Sequence, residues 1–221
     1  MSKISFGKRD LLGLAATIAL FGGPTALAPA LAQDGRGQPV EVPDATQVTA
    51  DDHVIGKADA PVTIIEYASL TCPFCAQFHA STLPRIKQEF VDSGKARYVF
   101  RDFPLDRLAL TAALVARCAE RDRYFGFLDV LFGSQSSWAR SDKPVQALMQ
   151  VAKFGNLNEA AVEACFKDET RLNAILQQRL GGERTFRVSS TPTLVINGKV
   201  VAGGHDYDAL KRAIEAVLPR T

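Results

Sequence analysis

The sequence predicts an α/β fold in which a small strand-and-helix domain is interrupted by a long helical insert. Three observations predict it. PVTIIEYAS, residues 61–69, is a β-branched apolar run bounded by Pro61 and the turn-like SLTCP, the pattern of a buried strand. From Asp106 to about Arg184 the chain carries helical periodicity and no strand pattern interrupts it. Strand texture then returns as TLVI and KVVAG, which flank Asn197-Gly198, a dipeptide suited to the positive φ angles of a two-residue hairpin turn.

The elements follow in order. Pro73 suits the first turn of a helix, where its missing N–H would be unpaired anyway. FCAQFHASTLPRIKQEF continues that helix with Phe74, Phe78, Leu83, Ile86 and Phe90 at helical spacing, and Pro84 is expected to kink it. KARYVFRDFP is a second strand, with Tyr98 and Phe100 on one face and Arg97, Val99 and Arg101 on the other. In the insert, Ser141-Asp142, Asn156, Asn158 and Gly181-Gly182 supply start and stop signals. YDALKRAIEAVL closes the chain as an amphipathic helix with Tyr207, Leu210, Ile214, Val217 and Leu218 on one stripe. The α/β domain therefore spans residues 53–105 and 185–221, and the insert spans 106–184.

The first residues bear on the compartment. Lys3, Lys8 and Arg9 precede the apolar run Leu11–Phe21, and Ala30-Leu31-Ala32 offers a small-x-small cleavage pattern. Residues 1–32 read as a cleavable signal peptide; an uncleaved membrane anchor is the rival, because no charge falls between Leu11 and Ala32. Lys8-Arg9 also resembles a weakened twin-arginine signal, so the export route stays open. Residues 33–52, polar with Pro and Gly, read as a flexible leader. Removing residues 1–32 takes away Lys3, Lys8 and Arg9 against Asp10, turning 26 basic and 24 acidic side chains into 23 of each. A net-neutral chain lacks the basic face that nucleic-acid binding needs.

Cys72 and Cys75 lie three apart at a strand-to-helix turn, a spacing that serves metal binding, a local staple or electron exchange. A thiolate at a helix start meets unpaired backbone N–H groups and the positive end of the helix dipole, both of which lower its pKa. Cys75 lies one turn inside, shielded. A metal reading would add His79 on the same helix face, but only His53 and His205 remain as histidine donors and neither has a paired spacing. No metal and no cofactor are expected. Cys118 and Cys165 each continue an apolar helix stripe; in an oxidising compartment they form a structural disulfide, the alternative being two buried thiols.

With IIEYASLTCPFC, the helical block after it and SSTPTLVINGKVVAGG, residues 61–218 resemble the DsbA-like branch of the thioredoxin superfamily. The resemblance implies a thioredoxin fold with an inserted helical domain and a protein disulfide oxidoreductase. In it Cys72 would meet substrate and Cys75 would resolve the mixed disulfide. Thr191-Pro192 would form a cis bond lying against the C-x-x-C and, with Pro73 and Phe74, would contact an extended substrate; an ordinary trans proline opening a strand is the alternative. Glu66 would be the family's buried acid and relay the proton of Cys75, or else an edge-strand glutamate facing water.

Two residues depart from the family's type protein. Phe74 stands where DsbA has histidine and cannot donate a hydrogen bond to the Cys72 thiolate, which predicts a milder oxidant. Thr191 replaces the usual valine and occurs in isomerases of the superfamily. The expected function is a periplasmic monomer that donates the Cys72–Cys75 disulfide to cysteine-containing exported proteins. A DsbB-like quinone-linked membrane oxidase would reoxidise it. A disulfide isomerase or reductase is the main competitor; a non-catalytic chaperone or metal carrier is the third reading.

Overall fold

The computed structural model describes residues 45–220 apart from Gly204, together with the backbone of two short strands, β1 (Ala32–Gln33) and β2 (Pro39–Val40). These two pair antiparallel within a unit of their own, residues 1–41. The signal-peptide expectation, Ala32 aside, lies outside the described residues.

In the main unit β3 (His53–Ile55), β4 (Val62–Ala68), β5 (Ala96–Asp102), β6 (Thr193–Ile196) and β7 (Lys199–Val200) form one sheet in the order β3-β5-β4-β6-β7. The β4–β5 pair is parallel and the others antiparallel. β4 is the central strand with both faces covered, which is why its sequence is an apolar run rather than an alternation. Ile64 and Ala68 pack with Tyr98 and Phe100 in the larger core, while Ile65 and Tyr67 join Val99 and Phe103 in a second core on the opposite face. The α/β fold with its helical insert is as the sequence predicts. β3 was not anticipated; it is three residues long and gains its place only by pairing with β5.

The crossover from β4 to β5 is one continuous helical stretch: α1 (Pro73–Gln77), a π turn (Phe78–Thr82), α2 (Leu83–Ile86) and a second π turn (Lys87–Val91). The widened turn comes just before Pro84, whose ring and missing N–H oppose a regular α turn there. Phe78, Leu83, Ile86 and Phe90 are buried as the spacing predicts, but Phe74 is 63% exposed.

The insert comprises α3 (Arg107–Cys118), α4 (Tyr124–Gly133), α5 (Gln135–Ala139), α6 (Pro144–Ala152), α7 (Glu159–Phe166) and α8 (Glu169–Phe186); α9 (Tyr207–Glu215) follows the hairpin. Asp106, Asn158, Asp168 and Asp206 cap their helices by accepting the backbone N–H three residues on. Ser141-Asp142 does not cap; α6 starts one residue later, with Pro144 in its first turn. Gly181-Gly182 does not stop a helix either. α8 runs on to Phe186 and ends at Arg187, whose φ of 54° is left-handed. The glycine has another reason: a Cβ on Gly182 would come 2.6 Å from Cε1 of Tyr67. Asn197 and Gly198 take the positive φ angles, 45° and 80°, that their hairpin turn requires. Cys118 at the end of α3 is bonded to Cys165 of α7, with Cα atoms 6.1 Å apart.

The leader needs correction over its last eight residues. Ala45 and Asp52 are buried, and Arg101 of β5 donates to the carbonyls of Ala45 and Gln47 and to both carboxylate oxygens of Asp52. A buried guanidinium needs acceptors for all its N–H groups, and this segment supplies them. No helix among the described residues is long and apolar enough to cross a membrane.

Candidate active site

Because β4 and β6 run antiparallel, the chain leaving β4 meets the chain entering β6. Tyr67 pairs with Thr193, so the loop Ser69–Cys72 comes alongside Thr191-Pro192. Cys72 occupies the N-cap position of α1 with extended backbone (φ −80°, ψ 119°), and Pro73 opens the helix. The Cys72 thiol donates to the Thr191 carbonyl oxygen at 3.2 Å across 119 residues of sequence. The Thr191-Pro192 bond is cis. Cys72 and Cys75 are both free thiols and both buried, Cys75 completely.

The two sulfurs sit in opposite electrostatic settings. A hydrogen bond from Cys75 is the largest cause that lowers the Cys72 pKa, to about 5; the N–H groups of Cys75 and Phe74 add to it, against the opposing effect of burial. Burial pushes the Cys75 thiol far above its usual range. Its bond to Cys72 and the charge of Glu66 push the same way. One sulfur is therefore an anion near neutrality and the other holds its proton.

Glu66 is completely buried. It accepts from the Tyr98 hydroxyl, and its Oε2 lies 3.0 Å from Nε2 of His79, while Oε1 has no partner. His79 is buried in the first π turn, its ring packed on Phe132 with centroids 4.1 Å apart. Burial alone would lower its pKa, but the Glu66 charge together with Asp129 overrides this and raises it to about 9. Asp129 Oδ1 is 3.9 Å from His79 Nδ1, too far for a hydrogen bond, so its influence is that of a charge.

The fold thus brings Cys72, Pro73, Phe74, Cys75, Glu66, Thr191 and Pro192 to one end of the sheet, with Cys118 and Cys165 apart in the insert. Gln135 of α5 was missed. It is buried, and its Nε2 donates to the carbonyls of Leu70 at 2.8 Å and Cys72 at 2.9 Å, fixing the loop that carries the first cysteine. Asp106 was also missed as a site residue: besides capping α3 it accepts from the Thr71 hydroxyl at 2.7 Å. QSSWA has no apolar periodicity, and neither pairing leaves a local trace. Among the described residues no group of three or more His, Cys, Asp or Glu is placed to hold a metal.

Comparison with known proteins agrees with this geometry. Residues 48–216 match the family model described as thioredoxin. A Rickettsia bellii protein provisionally named a protein-disulfide oxidoreductase is 25% identical over 173 residues, which are 78% of this chain and 66% of that one. The chain thus spans just under two thirds of that relative's length. Disulfide bond formation protein D of Bacillus subtilis is 28% identical over 175 residues, 75% of this chain and 76% of that one. The crystal structure of α-DsbA1 from Wolbachia pipientis superposes with a TM-score of 0.70 at 29% identity, covering 77% of this chain and 92% of that chain.

Proposed function

Since this chain belongs to the DsbA-like branch of the thioredoxin superfamily, we propose that it is a thiol:disulfide oxidoreductase that donates the Cys72–Cys75 disulfide to cysteines of exported proteins. The asymmetry of the two sulfurs carries this reading. A stabilised Cys72 thiolate makes the reduced enzyme favourable and the disulfide an oxidant, because the expelled Cys72 is a good leaving group.

The chemistry runs in two exchanges. A substrate thiolate attacks Cys72 Sγ of the disulfide; the S–S bond breaks, and Cys75 leaves as a thiolate that takes up a proton. The substrate's second thiolate then attacks the substrate's own sulfur in the mixed disulfide, forming the substrate disulfide and expelling Cys72 as a stable anion. The substrate is oxidised by two electrons and the enzyme is reduced by two. The backbone beside Pro192 accepts an extended substrate, and exposed Phe74 offers it an apolar contact beside Cys72. Phe74 contributes only its backbone N–H to the thiolate, which supports an oxidant milder than one with a histidine there.

The working place is the periplasm, reached by cleavage after Ala32, with a DsbB-like quinone-linked oxidase restoring the disulfide. The competing isomerase reading rests on Thr191 ahead of the proline. Refolding separates them: the oxidised chain should speed thiol loss from a reduced two-disulfide protein, and Cys72→Ser should abolish the effect. Faster rescue of a scrambled substrate than of a reduced one would assign the isomerase role instead. Unchanged function in Cys72→Ser would replace both with the non-catalytic binder.

A further inference from the structure

Cys75 poses a transport problem that the two cysteines do not solve. It is completely enclosed, and burial holds its thiol protonated. Each time it is expelled from the disulfide it must gain a proton, and each time the disulfide re-forms it must lose one. Bulk water does not reach the sulfur.

One line of polar groups leaves that sealed region. Glu66 offers an unpartnered Oε1 and binds His79 Nε2 through Oε2. On the far side of the imidazole, Nδ1 is buried with no hydrogen-bond partner, although the His79 side chain is only 3% exposed. Burying a polar nitrogen unpaired is unfavourable, so that nitrogen needs a reason to be there. His79 lines a cleft of about 560 Å³ together with Asp129, Gln77, Ala80, Lys87 and Asp92. Asp129, with its side chain 56% exposed, stands 3.9 Å from Nδ1 and lines the same cleft, so it joins the buried imidazole to solvent. A π turn holds the histidine in this position, one turn beyond Cys75.

We propose that Glu66, His79 and Asp129 form a proton relay linking buried Cys75 to solvent through this cleft. The inference rests on the oxidoreductase reading above and deepens it. When Cys75 is expelled as a thiolate, the Nε2–H proton of the His79 imidazolium moves through the Glu66 carboxylate to the sulfur, and the neutral imidazole left behind recovers a proton from the cleft beside Asp129. When Cys75 attacks during reoxidation, the proton moves outward along the same groups. No electron passes through them. His79 and Asp129 never touch the reacting sulfurs and act only through Glu66.

The titratable groups facing His79 come from several elements. Glu66 lies on β4, Asp129 on α4 and Cys75 on α1; Tyr98 of β5 bonds the same carboxylate, and Lys87 and Asp92 line the cleft. Among the described residues, the carboxyl groups within 4 Å of the imidazole nitrogens are those of Glu66 and Asp129.

His79→Gln keeps a donor for Glu66 but cannot pass a proton; Asp129→Asn alters only a half-exposed side chain. The measurement is the stopped-flow rate of formation and release of a peptide mixed disulfide between pH 5 and 9, in H₂O and D₂O, followed by mass spectrometry after acid quench. The Cys72 alkylation profile serves as control. We expect His79→Gln to slow the Cys75-dependent step at least tenfold, to flatten its pH profile and to lose the solvent isotope effect, with Cys72 alkylation unchanged. Asp129→Asn should slow the same step about threefold. Rates within twofold of wild type in both folded variants, with the isotope effect retained, would overturn the relay while leaving the redox reading intact. A wild-type chain that exchanges no disulfide at all overturns both. If His79→Gln fails to fold, Asp129→Asn alone decides.

Discussion

Gln135 holds the carbonyl of Cys72 at 2.9 Å with the same amide nitrogen that holds the carbonyl of Leu70 at 2.8 Å. A single side chain from the insert therefore pins both ends of the turn that presents the first cysteine. Gln135→Leu would leave two carbonyls without this partner in a buried place. We expect a loss of about 1–3 kcal/mol in chemical denaturation, and a less uniform Cys72 reactivity.

The thiolate at Cys72 is directly measurable. Alkylation by iodoacetamide should be half-maximal near pH 5, with Cys75 untouched well into the alkaline range. Cys75→Ala removes the largest cause of the shift, so the Cys72 midpoint should rise. A midpoint near that of a simple thiol in the intact protein would sink the oxidant reading.

Two histidines should bound the stability optimum from opposite sides. His53 stacks on Tyr124 with ring centroids 3.4 Å apart; burial, helped by Arg117 and Arg121, lowers its pKa to about 3. The unfolded chain binds the proton first, so stability is lost as pH falls from 6.5 towards 3. For His79, raised to about 9, the folded chain keeps the proton longer, and stability is lost as pH rises from 6.5 through 9. Thermal midpoints across pH should fall on both sides of 6.5. His53→Phe should flatten the acid limb and His79→Gln the alkaline one.

Gly182→Ala should destabilise by about 1–3 kcal/mol through overpacking. The added methyl would meet Tyr67 at 2.6 Å, and that ring is wedged in the second core. Gly126→Ala, where nothing lies within 4 Å of the added atom, is the matched control and should cost nothing through packing. Equal midpoints for the two variants in urea would contradict the close approach.

The features legible in the sequence are those with local causes. A β-branched run announces β4, Asn197-Gly198 its hairpin turn, Asn158 its cap, and Cys72-Pro73-Phe74-Cys75 the start of a helix. What stayed hidden depends on partners far along the chain. Gln135 matters because of Leu70 and Cys72, and Gly182 because of Tyr67. β3 exists because β5 offers an edge, and Asp129 gains meaning only beside His79. Gly181-Gly182 misled for the same reason: glycine is the residue of a helix end and also of a close approach, and only the neighbouring ring tells which.

The guanidinium of Arg101 uses all five of its N–H groups on Asp52, Gln47, Ala45 and Tyr67. Anyone trimming this chain for expression therefore meets a hard boundary. Starting at Gly56 would strand a cation inside the second core with a single neutral acceptor remaining, whereas starting ahead of Ala45 keeps its cage whole.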